Sequence, residues 1–90
     1  MRLRYSAEAR RQIGAIGDYI AQDNPAAAKR VVARIQGMAR LLAKFPRIGR
    51  VGRAAGTREW VLSELPYRLV YEVEGDAITI LNVYHTAQNR

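Results

Sequence analysis

The chain of 90 residues has no cysteine, one histidine and three prolines. Without cysteine, neither a disulfide framework nor a thiolate metal site can stabilise the fold, and we predict no metal and no cofactor. No apolar run reaches the length of a membrane span, and the start "MRLRYSAEAR" lacks the apolar stretch of a signal peptide. These absences predict a protein without a membrane segment, and the cytoplasm is its expected location.

Negative charge is scarce as well. Eight Asp and Glu residues stand against fifteen Lys and Arg, which gives a formal net charge of +7, and thirteen of the fifteen are Arg. Arginine carries a planar guanidinium that pairs bidentately with phosphate or carboxylate. The excess therefore indicates a polyanionic partner, either nucleic acid or an acidic protein segment. The alternative explanation is a GC-rich genome, which favours arginine at any surface position.

The first half of the chain predicts two helices. Residues 1–5 alternate as a short edge strand, and Ser6 is placed to cap a helix that ends near Gln22. Asn24 and Pro25 then provide the cap and first residue of a second helix, which continues to Pro46. Because the connection is so short, the two helices are expected to form an antiparallel hairpin.

The second half predicts three strands, at about 57–63, 67–73 and 77–84, with Gly75-Asp76 as a two-residue hairpin turn. The predicted order is β-α-α-β-β-β, and the fold class is α+β. The helical hairpin is expected to cover one face of a small, mainly antiparallel sheet. Residues 1–90 are expected to form one domain. The glycine- and arginine-rich segment "RIGRVGRAAGT" before the first of these strands is predicted to be a mobile loop and the densest part of the basic surface.

The hairpin turn predicts a register. If Glu74 faces Ala77, Arg68 opposes Val83, and His85 is the diagonal neighbour of Arg68 on the face that the helices leave open. A slip of one residue would separate the two side chains. The same register predicts an apolar strip on the open face, consisting of Val70, Leu81 and Val83. Such a strip marks a partner site, unless the loop 46–57 or the C-terminal tail folds over it.

The order of elements resembles the RelE/ParE superfamily of toxins from bacterial type II toxin–antitoxin modules, which are associated with plasmid stabilisation. The similarity rests on "DYIAQDNPAAAKRVVARI", "LLAKFPRIGR", "GTREWV" and "PYRLVYEVEGDAITILNVYH", and it covers nearly the whole chain. It implies a small basic toxin held inactive by an acidic antitoxin in a hetero-oligomer. It also implies two alternative targets: RelE-like members cut mRNA on the ribosome, whereas ParE-like members inhibit DNA gyrase without enzymatic chemistry.

The resemblance supplies candidate catalytic residues for RNA cleavage. Arg68 in "YRLVY" matches the arginine that RNA-cleaving members use on the phosphate, and His85 in "YHT" matches a histidine used as acid or base. Two features depart from that pattern, because Thr86 stands where a tyrosine is expected and the usual glutamate is missing. Glu59 is the candidate replacement if the "ELP" turn pairs Ser63 with Pro66, and otherwise it is a solvated partner of Arg58.

The remaining assignments depend on which branch applies. RelE-like members carry several lysines for RNA, so phosphate contacts here would fall to arginines of the loop, namely Arg47, Arg50, Arg53 and Arg58. Tyr71 and Tyr84 are assigned to the core, and Trp60 to packing. His85 has a purely structural alternative, as the residue that ends its strand. A further alternative is an inactive toxin that only binds its antitoxin.

Overall fold

Two helices and five strands make up the part of the chain that the computed structural model describes, residues 1–87. In chain order they are β1 (Arg2–Tyr5), α1 (Ala7–Ala21), α2 (Pro25–Lys44), β2 (Arg50–Val51), β3 (Thr57–Val61), β4 (Tyr67–Glu74) and β5 (Ala77–His85). Neither of these helices combines the length and the apolar character that a bilayer-spanning helix needs.

The helix starts follow the predicted caps. The Ser6 hydroxyl accepts a hydrogen bond from the Ala9 amide at 2.9 Å, and the Asn24 side chain accepts one from the Ala27 amide at 3.0 Å. Each bond satisfies one amide that a helix N-terminus leaves without a partner. The predicted helical hairpin is confirmed, and Gly17 lies so close to α2 that a Cβ there would be 3.2 Å from a methyl group of Val32.

The sheet has the order β1-β5-β4-β3-β2, with β1 parallel to β5 and every other pair antiparallel. The α+β fold class is confirmed. The prediction of three strands after the helices was incomplete, because Arg50 and Val51 form β2 against Glu59 and Arg58 within the predicted loop. A strand of two residues between glycines is too short to show the alternation of apolar and polar residues by which a strand is recognised in a sequence.

One face of the sheet carries the core, as predicted. Leu69, Tyr71, Ile78 and Ile80 are fully buried there, whereas Val73 near the turn stays 40% exposed. The helices contribute Ala9, Ile13, Ile35, Ala39, Leu42 and Ala43 to the same cluster. Burial of this apolar surface, at about 25 cal/mol per Å², is what holds the helical hairpin on the sheet.

The predicted register between β4 and β5 holds only near the turn. Val73 faces Ile78 and Tyr71 faces Ile80, but the pairing then shifts between Val70 and Tyr71. Leu81 is the extra residue of a β-bulge, so the following pairs are displaced by one residue: Val70 with Asn82, Leu69 with Val83, Arg68 with Tyr84 and Tyr67 with His85. The prediction that Arg68 opposes Val83 was therefore wrong.

Candidate functional site

The open face of the sheet is built around Arg68, near the start of β4. Tyr84 lies directly opposite on β5, and the guanidinium carbon of Arg68 stands 5.4 Å from the centre of the tyrosine ring, a cation–π distance. The Arg68 Nε lies 3.8 Å from Oε1 of Glu59, and the two side chains are only 13% and 10% exposed. The guanidinium is therefore held between an aromatic ring and a buried carboxylate.

Glu59 reaches this position because of the β3–β4 register. Val61 faces Arg68 and Glu59 faces Val70, the spacing expected if the intervening turn pairs Ser63 with Pro66. Since side chains two residues apart share a face, Glu59 and Arg68 point the same way. The placement of Glu59 beside Arg68 is confirmed, and the alternative of a solvated partner for Arg58 was wrong. The Arg53 amide also donates to Oε2 of Glu59, at 3.4 Å.

These groups border a cavity of about 220 Å³ on the open face. Its polar lining consists of Arg53, Thr57, Glu59, Arg68, Asn82 and Tyr84. Guanidinium, amide and phenol groups are the donors that a phosphate or carboxylate ligand requires. The carboxylate of Glu59 competes with such a ligand for Arg68, because like charges repel strongly at a poorly solvated site. The cavity therefore has an anion-binding lining that already contains one internal anion.

His85 lies on the other side of the sheet. It faces Tyr67, whose ring centre is 5.5 Å from that of the imidazole with the ring planes at 86°. Its Nδ1 accepts a hydrogen bond from the Ala87 amide at 3.1 Å, which assigns the proton of a neutral ring to Nε2. The predicted convergence of Arg68 and His85 on one face was therefore wrong, because the bulge at Leu81 turns their side chains to opposite faces.

The surroundings of His85 form a groove of about 610 Å³ between α1 and the end of β5. Tyr19 stands 74% exposed along it, and Gln12 closes one side. The Gln12 Oε1 accepts a hydrogen bond from the Val83 amide at 2.7 Å, and its Nε2 donates to Glu8 at 3.4 Å. Glu8 is also paired with Arg11, whose hydrogen bond lowers the pKa of the Glu8 carboxyl.

The predicted apolar strip does not lie open. Val83 is 3% exposed and packs in the core on the helix side, so its assignment to the open face was wrong. Val70 is on the open face but only 9% exposed, and Arg53 and Ala54 of the loop line the same cavity with it. Leu81 is half-buried at the bulge. The position of Arg53 and Ala54 beside Val70 agrees with the alternative in which the loop covers this strip. The other proposed cover, the C-terminal tail, reaches beyond the described residues 1–87.

The basic loop is tethered rather than loose. The buried Tyr71 hydroxyl donates to the Pro46 carbonyl at 2.8 Å and accepts from the Gly49 amide at 3.0 Å. Burial raises the pKa of Tyr71, so this hydroxyl stays protonated. A Cβ at Gly49 would collide with the same hydroxyl, which is why only glycine fits there. The expectation of a mobile loop missed this attachment, because nothing in a sequence links Tyr71 to residues more than twenty positions away.

The four arginines assigned to nucleic-acid contacts divide into two kinds. Arg58 points inward along the loop, and its guanidinium donates to the carbonyls of Gly49 at 2.7 Å and Arg47 at 3.5 Å. Arg58 therefore stabilises the loop. Arg47, Arg50 and Arg53 are exposed, and within residues 1–87 none of them lies within ion-pair distance of a carboxylate.

Sequence reasoning overlooked two residues of the site. Tyr84 was assigned to the core, but it lies half-buried beside Arg68 because the bulge shifts its face. Gln12 was not singled out, although it provides the acceptor for a backbone amide of β5. One signal was available for the first: the register set by the turn puts the polar Asn82 opposite Leu69, on the face that the helices cover.

Known proteins share this sequence pattern. The sequence model of the ParE toxin family, described as the ParE toxin of the type II toxin–antitoxin system parDE, matches residues 3–90. The chain belongs to this family. It is accordingly a toxin of the RelE/ParE superfamily from a type II toxin–antitoxin system, as the resemblance predicted.

Individual relatives of this ParE-family chain carry names from both branches. Y4kP of Sinorhizobium fredii, a protein designated a toxin, is 45% identical over 87 residues, which cover 97% of this chain and 90% of the relative. The toxin RelE2 of Caulobacter vibrioides is 38% identical over 74 residues, 82% of each chain. A chain of the chromosomal ParDE system from P. aeruginosa superposes with a TM-score of 0.84 at 26% identity, covering 94% of this chain and 95% of that one.

Proposed function

We propose that the free toxin arrests growth by binding DNA gyrase, as a non-enzymatic inhibitor. The observation that carries this proposal is the separation of Arg68 and His85. Cleavage by the predicted pair needs both side chains at one phosphate, with the acid or base within about 3 Å of the oxygen that gains or loses the proton. The bulge at Leu81 places them on opposite faces, and Glu59 compensates the charge of Arg68.

The proposed partner that silences this activity is an acidic antitoxin. The net charge of +7 favours such a partner, because complementary charge speeds association and excludes wrong partners. The membership of the ParE family points the same way, and we expect a toxin–antitoxin hetero-oligomer. Exposed apolar side chains on the described surface offer contacts for it, namely Tyr19, Phe45, Ile48, Val51 and Val61.

The test combines two readouts on the same preparation. The purified toxin is added to a gyrase supercoiling reaction and, separately, to a cell-free translation reaction with a labelled mRNA. We expect loss of supercoiling, intact mRNA, and recovery of gyrase when the cognate antitoxin is added. Intact supercoiling together with cut mRNA would overturn the proposal, and intact supercoiling with intact mRNA would identify an inactive toxin.

A second candidate function has a structural observation of its own. Glu59 and Arg68 are brought together at a cavity that Tyr84 also lines. In ribosome-dependent mRNA cleavage, Glu59 would take the proton of the 2′-hydroxyl and Arg68 would stabilise the charge of the phosphorane. Tyr84 would give its proton to the leaving 5′-oxygen, so that the proton count balances. His85 has no part in this arrangement.

Isosteric variants separate the two functions, provided that circular dichroism shows each variant to be folded. Glu59→Gln removes the base and Tyr84→Phe removes the acid, while each keeps the shape of the side chain. Under gyrase inhibition both variants stay toxic on induction, and so does His85→Ala. Under RNA cleavage, Glu59→Gln and Tyr84→Phe abolish transcript cutting, and Tyr19→Phe, a tyrosine outside the cavity, serves as the matched control that keeps it.

A further inference from the structure

The loop between α2 and β3 concentrates positive charge at one edge of the sheet. Arg47, Arg50 and Arg53 are spaced three residues apart, and all three side chains are exposed. Arg47 borders the cavity beside Pro46 and Val73, whereas Arg53 borders the cavity on the open face. The three cations therefore surround the edge that β2 forms, instead of lying on one face.

Within residues 1–87, none of these three arginines lies within ion-pair distance of a carboxylate. No acidic residue occurs between Asp23 and Glu59, and the carboxylate of Glu59 is buried beside Arg68. Elsewhere in residues 1–87, carboxylates do pair with arginine, as in Arg2–Asp76, Arg11–Glu8 and Arg34–Glu64. A surface that keeps its cations unpaired where pairs form elsewhere is suited to an external anion.

The loop is also held in one conformation. Tyr71 binds the backbone of Pro46 and Gly49, and Arg58 binds the carbonyls of Arg47 and Gly49. At Gly52 a Cβ would collide with the Thr57 hydroxyl and approach the Glu59 side chain at 3.3 Å. Backbone positions fixed in this way reduce the ordering cost when the exposed arginines bind a ligand.

We propose that Arg47, Arg50 and Arg53 form a binding site for the phosphate backbone of duplex DNA, read without regard to sequence. Phosphates recur along a duplex at about one charge per 1.7 Å of axis, so several arginines at one edge can be satisfied together. Phe45 and Trp60 flank the loop, but residues 46–58, which carry the three arginines, contain no aromatic side chain. Proteins that bind single strands use aromatic side chains to stack successive bases. The proposal does not depend on gyrase being the target.

The test is the salt dependence of DNA binding by the purified full-length chain. Fluorescence anisotropy with a labelled duplex of unrelated sequence is measured between 50 and 200 mM salt, for the wild type and for the triple variant R47Q/R50Q/R53Q. Three phosphate contacts contribute about 2.7 to the slope of log K against log salt, which is an approximately 40-fold loss of affinity over this range. We expect the triple variant to lose that part of the slope and to bind more weakly at every salt concentration.

A matched control variant distinguishes a defined phosphate-binding site from a general effect of the net positive charge. R4Q/R10Q/R30Q removes the same charge from arginines that are exposed and outside any ion pair within residues 1–87. We expect this control to keep the wild-type slope. Equal losses of affinity and of salt slope in both triple variants would overturn the proposal. Tighter binding of a single-stranded RNA than of the duplex at the same salt concentration would overturn it as well.

Tyr71 provides an independent test as a positioning residue. Tyr71→Phe keeps every charge and the buried ring but removes the hydroxyl that binds Pro46 and Gly49. We expect weaker duplex binding with an unchanged salt slope, since the phosphate contacts remain but the loop must be ordered on binding. Unchanged affinity in a folded Tyr71→Phe variant would overturn the part of the proposal that requires a fixed loop.

Discussion

The two halves of the β4–β5 hairpin belong to the same two strands, yet their residues pair in different registers. In the half near the turn, each pair follows from Gly75-Asp76, as Val73 with Ile78 and Tyr71 with Ile80. In the far half, every pair is displaced by one residue, and Leu69 faces Val83. A turn therefore fixes the register of a hairpin only as far as the first bulge.

The bulge has an identifiable cause in the sequence of β5. With the turn-based register continued, Asn82 would face Leu69 and the helices, and Val83 would face outward. The extra residue at Leu81 reverses this, so that Val83 is buried to 3% exposure and Asn82 borders the open-face cavity. Burying a valine contributes about 1.5 kcal/mol or more, whereas a buried amide without a partner costs at least about 1 kcal/mol. Both terms favour the displaced register.

The largest expected effect comes from introducing aspartate at Val83, which faces the core, and comparing it with aspartate at Leu81, the extra residue of the bulge. Val83→Asp places a charge at a core position that is only 3% exposed, and we expect a loss of about 5 kcal/mol or failure to fold. Leu81→Asp changes a half-buried residue on the open side, and about 1 kcal/mol is expected. Chemical denaturation followed by circular dichroism measures both, and a larger effect at Leu81 would restore the turn-based register.

The second-largest effect is expected at the ion pair between Glu59 and Arg68, because Arg68 lies in the far half of the hairpin. Glu59→Ala leaves the guanidinium of Arg68 in a largely buried site without its carboxylate, and we expect about 3 kcal/mol of destabilisation. The double variant Glu59→Leu/Arg68→Met removes both charges with similar volume and is expected to recover most of that loss. If the double variant is no more stable than the single one in urea denaturation, the pair is not the stabilising unit.

The smallest effect belongs to the turn itself. Gly75 has a φ of +61°, in the left-handed region, and Gly75→Ala is expected to cost about 1 kcal/mol. Gly14 is the matched control, because it lies exposed in α1 with no atom near the position of an added Cβ. Gly14→Ala is expected to stabilise by up to about 1 kcal/mol. Thermal denaturation of the two variants should shift Tm in opposite directions.

The sequence was sufficient for features controlled by local chemistry. Ser6, Asn24 and Pro25 mark helix starts because their roles involve only neighbouring residues. These roles depend on residues few positions apart, and such patterns are visible before folding. The placement of Glu59 beside Arg68 was only conditional, because the sequence left the length of the turn between β3 and β4 open.

Features that depend on distant residues were not predictable in the same way. The strand β2 exists because Arg50 and Val51 find a partner in β3, and their own residues carry no strand pattern. The tether between Tyr71 and Gly49 joins the sheet to a loop more than twenty residues earlier. The position of Tyr84 was the exception, since the register set by the turn already put the polar Asn82 opposite Leu69, on the face that the helices cover.

Besides covering one face of the sheet, α1 also binds the outer edge of β5, because the Val83 amide donates a hydrogen bond to Gln12. Strand β1 pairs with β5 only from Ala77 to Ile80, and beyond that point no strand among residues 1–87 pairs with the outer edge of β5. The Ser6 hydroxyl donates to the Leu81 carbonyl, and the Gln12 side chain accepts from the Val83 amide. These two side chains occupy backbone groups that an additional strand would otherwise bind. Exposed strand edges are templates for association with other chains. Helix α1 and its N-cap Ser6 therefore prevent this edge of β5 from pairing with strands of other chains, in addition to covering one face of the sheet.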